Sequence, residues 1–157
     1  GMKYAMKSGI GTWSMKVHGI MIGALVAVNA IGDVVDPDSG KQVAGMRSGN
    51  TMKWMKEHRP RAAIPSNTVI GVVATNARLT KAQATKVAQM AQDGLARAIR
   101  PVHTMFDGDT IFALGTGEKK ADVSMVGAFA AEVMAEAILR AVKLAAPAGG
   151  LSGLYRK

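Results

Sequence analysis

Thr68 stands at an abrupt change in the chain. Before it, MRSGNTMKWMKEHRPRAAIPS (46–66) is polar, basic and broken by Pro60 and Pro65, with no apolar period. From it, TVIGVVAT is a nearly continuous β-branched run that predicts a strand buried on both faces. A hydroxyl at such a junction has two readings. It is a β-branched residue opening a strand, or it is an N-terminal nucleophile: cleavage after Asn67 would free an α-amino group to act as general base for the hydroxyl of the same residue. An α-amine titrates near pH ~8, so a modest depression makes it a good proton acceptor at working pH.

The rest of the composition narrows the chemistry. Cysteine is absent, which excludes disulfide scaffolding, thiolate nucleophiles and thiolate zinc sites. His18, His58 and His103 are scattered, with no second histidine at ligand spacing, and each reads as a surface or packing residue. The chain has no phosphate-binding GxxxxGK loop, no GxGxxG opening a helix, no HExxH and no GxSxG. No metal or cofactor is expected.

The elements that must position Thr68 can be read by period. GIGTWSMKVH and IMIGALVAVNA, joined at Gly19, predict a hairpin, and GDVVDPDSGKQVAG continues the meander through turn residues at 36–40. Thr80 with Gln83 forms a capping box ahead of Val87, Met90, Ala91, Leu95, Ala98 and Ile99, a helical face that ends before Pro101. DTIFALGTG predicts a strand, and a second helix follows over 124–144. Its polar stripe is only Glu132, Glu136, Arg140 and Lys143, so it should be covered nearly all round, between layers or at a subunit interface. The order strands, strand, helix, strand, helix predicts an α/β layered sandwich.

NTVIGVVATNARLTKAQATKVAQMAQDGLARAIRPVHTMFDGDTIFAL closely resembles the nucleophile-bearing subunit of the DmpA family, the L-aminopeptidase/D-esterase and β-peptidyl aminopeptidase group. GIGTWS and GALVAVNAIGDVVDP resemble the end of that family's larger subunit. The resemblance covers roughly residues 8 to 145. It implies an α/β/β/α sandwich of the DmpA and ornithine acetyltransferase type, here its C-terminal part. It also implies cleavage between Asn67 and Thr68 and hydrolysis of short peptides, amides or esters. On this view the single domain 1–157 divides into 8–45, the end of the larger-subunit-like segment; 46–67, a processing linker; and 68–157, the nucleophile subunit.

By matching position, Asn29 resembles the family's oxyanion-donating asparagine. Asp107 and Asp109 fall where the family carries a Ser-Gly-Glu-like pair near the nucleophile. Asp109 would hold the α-ammonium group or orient the hydroxyl, while Asp107 departs from the hydroxyl pattern. Family precursors carry a further N-terminal portion that supplies part of the sandwich and a tyrosine at the oxyanion. That portion, or a homo-oligomer, is the expected partner. The competing families of reading are an ornithine acetyltransferase-like acyl transferase and a non-catalytic basic interaction domain.

The formal charge of +9 raises the last of these. Much of the excess is local, at Arg47, Lys53, Lys56, Arg59 and Arg61, without an aromatic ladder or RNA-binding signature, and reads as a solvated linker. The chain opens with no signal-peptide pattern, so the cytoplasm is the expected compartment, with no membrane partner. Retention on DNA or RNA at low salt is expected to be undetectable; salt-sensitive retention lost on neutralising the cluster at 47–61 would establish a polyanion-binding domain instead.

Overall fold

The computed structural model describes residues 4–58 and 67–155. Residues 59–66, including Arg59, Arg61 and both linker prolines, lie outside the described residues.

Strand β1 (Ile10–Val17) turns at His18-Gly19 into β2 (Ile20–Ala27), with the two strands paired from Ile10↔Ala27 to Val17↔Ile20. Both turn residues have positive φ (47° and 81°), the two-residue geometry that matches strand twist and that glycine tolerates best. A small antiparallel sheet follows. Strands β3 (Asp33–Val35) and β4 (Gln42–Ala44) pair around a turn in which Asp36 Oδ1 accepts from Ser39 N, Ser39 Oγ and Asp38 N. Those hydrogen bonds, the one from Ser39 N first, hold the Asp36 carboxyl below its usual range.

Strand β5 (Ile70–Ala77) pairs antiparallel with β2, and β7 (Thr110–Lys119) pairs parallel with β5. The main sheet is thus ordered β1-β2-β5-β7. A parallel pair cannot be joined by a tight turn. The connection here is helix α2 (Lys81–Ala98), which runs into the two-residue strand β6 (Ile99–Arg100) on the edge of the small sheet. The capping box read from Thr80 and Gln83 is present in both directions, at 3.3 and 2.9 Å. Helix α3 (Val123–Lys143) starts on Asp122, whose side chain accepts from Met125 N, and it packs against α2, β1 and β2. Both helices cover one face of the sheet, and Ile22, Val26, Val73, Leu95, Met134 and Ile138 are fully buried between them.

Two expectations need correction. The stretch that lacks an apolar period holds a helix: α1 (Thr51–Glu57) is capped by Asn50, whose side chain accepts from Lys53 N at 2.7 Å. Only Thr51 of this helix is buried, so no apolar period existed to reveal it. It is held from outside. Asp33, 2% exposed, accepts from Thr51 N (2.6 Å), Thr51 Oγ1 (3.1 Å) and Met46 N (2.7 Å), tying the start of α1 to β3.

The second correction concerns β5, which alternates between buried and accessible positions instead of being covered on both faces. Across the sheet, the cross-strand row Thr12, Leu25, Val72 and Phe112 faces away from the helices. Ile10, Ile70 and Phe112 on that side are 67%, 52% and 59% exposed. The described residues therefore supply one helix layer and one main sheet layer, and the outer sheet face is apolar and uncovered. No helix among them is long and apolar enough to cross a membrane.

The helix–sheet interface depends on a glycine. A Cβ on Gly11 would lie 2.0 Å from Ala137 O and 2.5 Å from Ala141 N, both backbone atoms of α3. The strand backbone and the helix backbone are in direct contact there. Gly11→Ala must push α3 off β1 and is expected to cost about 3 kcal/mol in urea unfolding, the upper range for overpacking; an unchanged midpoint would refute this contact.

Candidate functional site

Strand β5 delivers Thr68 to the start of its pairing with β7. Ile70↔Thr110 opens the parallel ladder, and three residues earlier on each segment an isolated parallel bridge joins Asn67 to Asp107. The loop at 107–109 is thereby laid alongside the Asn67-Thr68 peptide bond. Thr68 N donates to Asn29 O at 2.9 Å, and Thr110 N donates to Val69 O at 2.9 Å. The bond is pinned from both sides by backbone.

The Asn67 carbonyl oxygen is the focus of the geometry. The half-buried Thr68 hydroxyl donates to it at 2.6 Å, and Gly108 N donates to it at 3.0 Å. Two donors on one carbonyl draw electron density toward oxygen and leave the carbonyl carbon more electrophilic. If a nucleophile adds to that carbon, the developing oxyanion already faces a fixed backbone N–H. A Cβ on Gly108 would lie 2.9 Å from Thr68 Oγ1, too close for the hydroxyl to keep its position.

The structure brings all four candidate residues of the sequence into this neighbourhood, with different roles for their atoms. Asn29 lies at the end of β2, and the contact it makes with Thr68 is through its backbone carbonyl. Asp109 is 2% exposed in its side chain, and its Oδ1 accepts from Val69 N at 2.9 Å, one residue beyond Thr68. Its Oδ2 lies 3.0 Å from His103 Nδ1. Asp107 turns its carboxylate away to Thr104, accepting from Oγ1 at 2.7 Å and N at 3.1 Å, and it therefore braces the loop.

Sequence reasoning missed two participants. Nothing in the sequence singles out Gly108, because its close approach to Thr68 depends on the β5–β7 register. His103 was read as an isolated histidine, and nothing local in the sequence pairs it with Asp109. Among the described residues no group of three His, Cys, Asp or Glu side chains is placed to hold a metal ion.

A cavity of about 490 Å³ opens on the Asn67 side of the junction. Its lining includes Met6, Lys7, Val28, Asn29, Val34 and Asn67. The lining is mostly apolar. Gly108→Ala is the sharpest probe of the arrangement: the added methyl displaces the Thr68 hydroxyl, and any reaction of that hydroxyl should slow by about a hundredfold, as misplacement by ~1 Å does, while thermal stability changes little. Unchanged hydroxyl reactivity in that variant would show that the close approach is incidental.

Comparison with known proteins follows the geometry. The model of peptidase family S58 matches residues 1–156. An uncharacterized aminopeptidase of Mycobacterium leprae is 38% identical over 93% of this chain and 47% of its own length. A 6-aminohexanoate-oligomer endohydrolase of Kocuria sp. is 27% identical over 87% of this chain and 44% of its own length. The chain thus spans about half the length of the relatives it matches. Among solved structures, a Burkholderia sp. β-aminopeptidase aligns with a TM-score of 0.64 and 25% identity, covering 96% of this chain and 47% of that one. The L-aminopeptidase D-Ala-esterase/amidase of Ochrobactrum anthropi, described as a variant of the Ntn hydrolase fold, aligns with a TM-score of 0.68 and 21% identity, over 98% of this chain and 46% of that one, and shares the fold. The chain belongs to peptidase family S58, the DmpA/β-aminopeptidase family, and carries the DmpA-type Ntn hydrolase fold.

Proposed function

We propose that this chain is the nucleophile-bearing part of a self-processing N-terminal-nucleophile hydrolase acting on short peptides, amides or esters through an acyl-Thr68 intermediate. The observation that carries the reading is the Asn67 carbonyl oxygen, which receives both Thr68 Oγ1 and Gly108 N. Names of relatives agree in class: one is an aminopeptidase and another an oligomer endohydrolase, both cleaving amide bonds.

The processing step follows from that geometry. Thr68 Oγ1 attacks the Asn67 carbonyl carbon, its proton passes to the Thr68 nitrogen, and the Asn67–Thr68 C–N bond breaks as the ester forms. Charge on the Asn67 oxygen in the tetrahedral stage is met by Gly108 N–H. Water then hydrolyses the ester, leaving a carboxylate on Asn67 and a free hydroxyl and α-amine on Thr68. That amine keeps Asn29 O as its neighbour and becomes the base for the next attack, on a substrate whose acyl group takes the place of Asn67 beside the cavity. A lost oxyanion donor in such a site typically costs about 3 to 4 kcal/mol.

Asn29 also takes part through its side chain in this reading, as the donor to the substrate oxyanion. The uncovered apolar sheet face belongs to the same reading: the second sheet of an α/β/β/α sandwich packs on it, and turnover by this chain without that layer is weak.

Intact-mass analysis tests the reading without knowledge of a substrate. Competent protein should yield two fragments, beginning at Gly1 and Thr68. Thr68→Ser keeps the hydroxyl and should process, at a rate altered by the freer χ1 of serine. Thr68→Ala should stay intact and inactive while folding normally. Cleavage of the alanine variant at the same bond, or full hydrolase activity in it, would eliminate Thr68 as the nucleophile.

A further inference from the structure

The Asp109 carboxylate sits between two groups. Its Oδ1 accepts from Val69 N at 2.9 Å, and its Oδ2 faces the His103 ring at 3.0 Å and, more weakly, His103 N at 3.4 Å. An ionised carboxylate is an acceptor only, so His103 Nδ1 carries the hydrogen in this contact. The two ends differ in exposure. The Asp109 side chain is 2% exposed and the His103 side chain 39%, so the histidine is the solvent-facing end of a chain of contacts that runs inward to the residue after Thr68.

His103 also stands in the left-handed region, with φ 55°. A residue with a side chain adopts that conformation uncommonly, and surrounding contacts must hold it there. The contacts that hold it here are those to Asp109. The charged groups around the pair are few: Asp107 on the same loop, engaged with Thr104; Arg100 on β6; and Asp33, paired in register with Arg100 but engaged with Met46 and Thr51. None of these has an observed contact with the His103–Asp109 pair.

The geometry points to His103 as a positioning residue that acts through Asp109. By holding Oδ2, the imidazole fixes the carboxylate so that Oδ1 pins Val69 N–H, and with it the orientation of the Thr68 hydroxyl on the Asn67 carbonyl. Protonation of the exposed ring is then felt at the buried start of β5. The inference rests on the proposed role of Thr68 for its consequence in cleavage, though not for the coupling itself.

The experiment has two readouts on the full chain. In the first, nuclear magnetic resonance follows the His103 ring and the Val69 amide through a pH titration. Expected is a Val69 amide that moves with the midpoint of the His103 ring, and loses that response in Asp109→Asn, which keeps an oxygen acceptor but not the charge. A Val69 amide that stays still while His103 titrates overturns the proposal. The second readout is the first-order rate of cleavage after Asn67. His103→Gly, which relieves the left-handed backbone and removes the donor, should slow it about ten- to a hundredfold and flatten its pH dependence. His103→Asn, which tolerates positive φ and keeps an N–H donor, should recover much of the rate. A glycine variant that cleaves at the wild-type rate with the wild-type pH profile also overturns the proposal. If the wild type stays intact, the coupling between His103 and Val69 alone decides whether the contact chain exists.

Discussion

The contacts between the 107–110 segment and the junction depend on the parallel pairing of β5 with β7. The ladder that begins at Ile70↔Thr110 forces the residues ahead of both strands into register as well, and so sets Asn67 beside Asp107 and the Gly108 N–H on the Asn67 carbonyl. Side-chain period in a strand is two, so a slip by one residue would turn Thr68 and Asp109 to the opposite face. The register is held by burial: Val69 just ahead of β5, Val73 on β5 and Ile111 on β7 are buried, and their displacement would expose the core. Helix α2 makes the parallel arrangement possible by carrying the chain back to the same end of the sheet. The reactive geometry is thus a by-product of a hydrophobic crossover unit.

Both flanks of the junction are anchored, by different chemistry. On the approach, the buried Asp33 carboxylate gathers Met46 N, Thr51 N and Thr51 Oγ1, leaving it well supplied with donors. Such a carboxylate is stable in the interior only because its lone pairs are satisfied. Gly45, with φ 135°, lets the chain pass so close that a Cβ would lie 2.2 Å from Asp33 Oδ1. On the departure, Thr68 N is held by Asn29 O and Val69 by Asp109 and Thr110. Peptide bonds that are to react with a neighbouring hydroxyl benefit from this kind of fixation, since orientation removes entropy from the barrier.

The helices cover only one side of the main sheet, and small side chains let them do it closely. Gly11 meets the α3 backbone, and Gly94 of α2 would place a Cβ 2.4 Å from Ala131 O of α3. Alanines along α3 sustain this contact, with Ala130, Ala137 and Ala141 essentially inaccessible. The opposite sheet face is equally apolar but has larger residues, Leu25, Ile70, Phe112 and Leu114, left accessible. Large apolar patches on an exposed face mark a surface built for contact.

Local signals carried much of the architecture. The hairpin at 10–27, the β3–β4 turn, the Thr80 capping box and both long helices were legible because turn residues, caps and apolar period act within a few positions of one another. The junction at Thr68 was legible as a change of pattern, and Asn29, Asp107 and Asp109 through resemblance to a family. Helix α1 was not legible, because a buried carboxylate eighteen positions away in sequence, Asp33 to Thr51, holds its start. The uncovered outer face of β5 was hidden too, since an apolar run reads the same whether or not a second layer is present in the chain. Only the tertiary structure decided which atoms meet at the site: that Gly108 faces the Asn67 carbonyl, that Asp109 reaches Val69 and His103, and that Asp107 turns to Thr104. The contacts of Gly108 with Asn67 and of Asp109 with Val69 join segments separated by a whole strand–helix–strand crossover, and the parallel register makes them; those to His103 and Thr104 are made within one loop whose path the crossover sets.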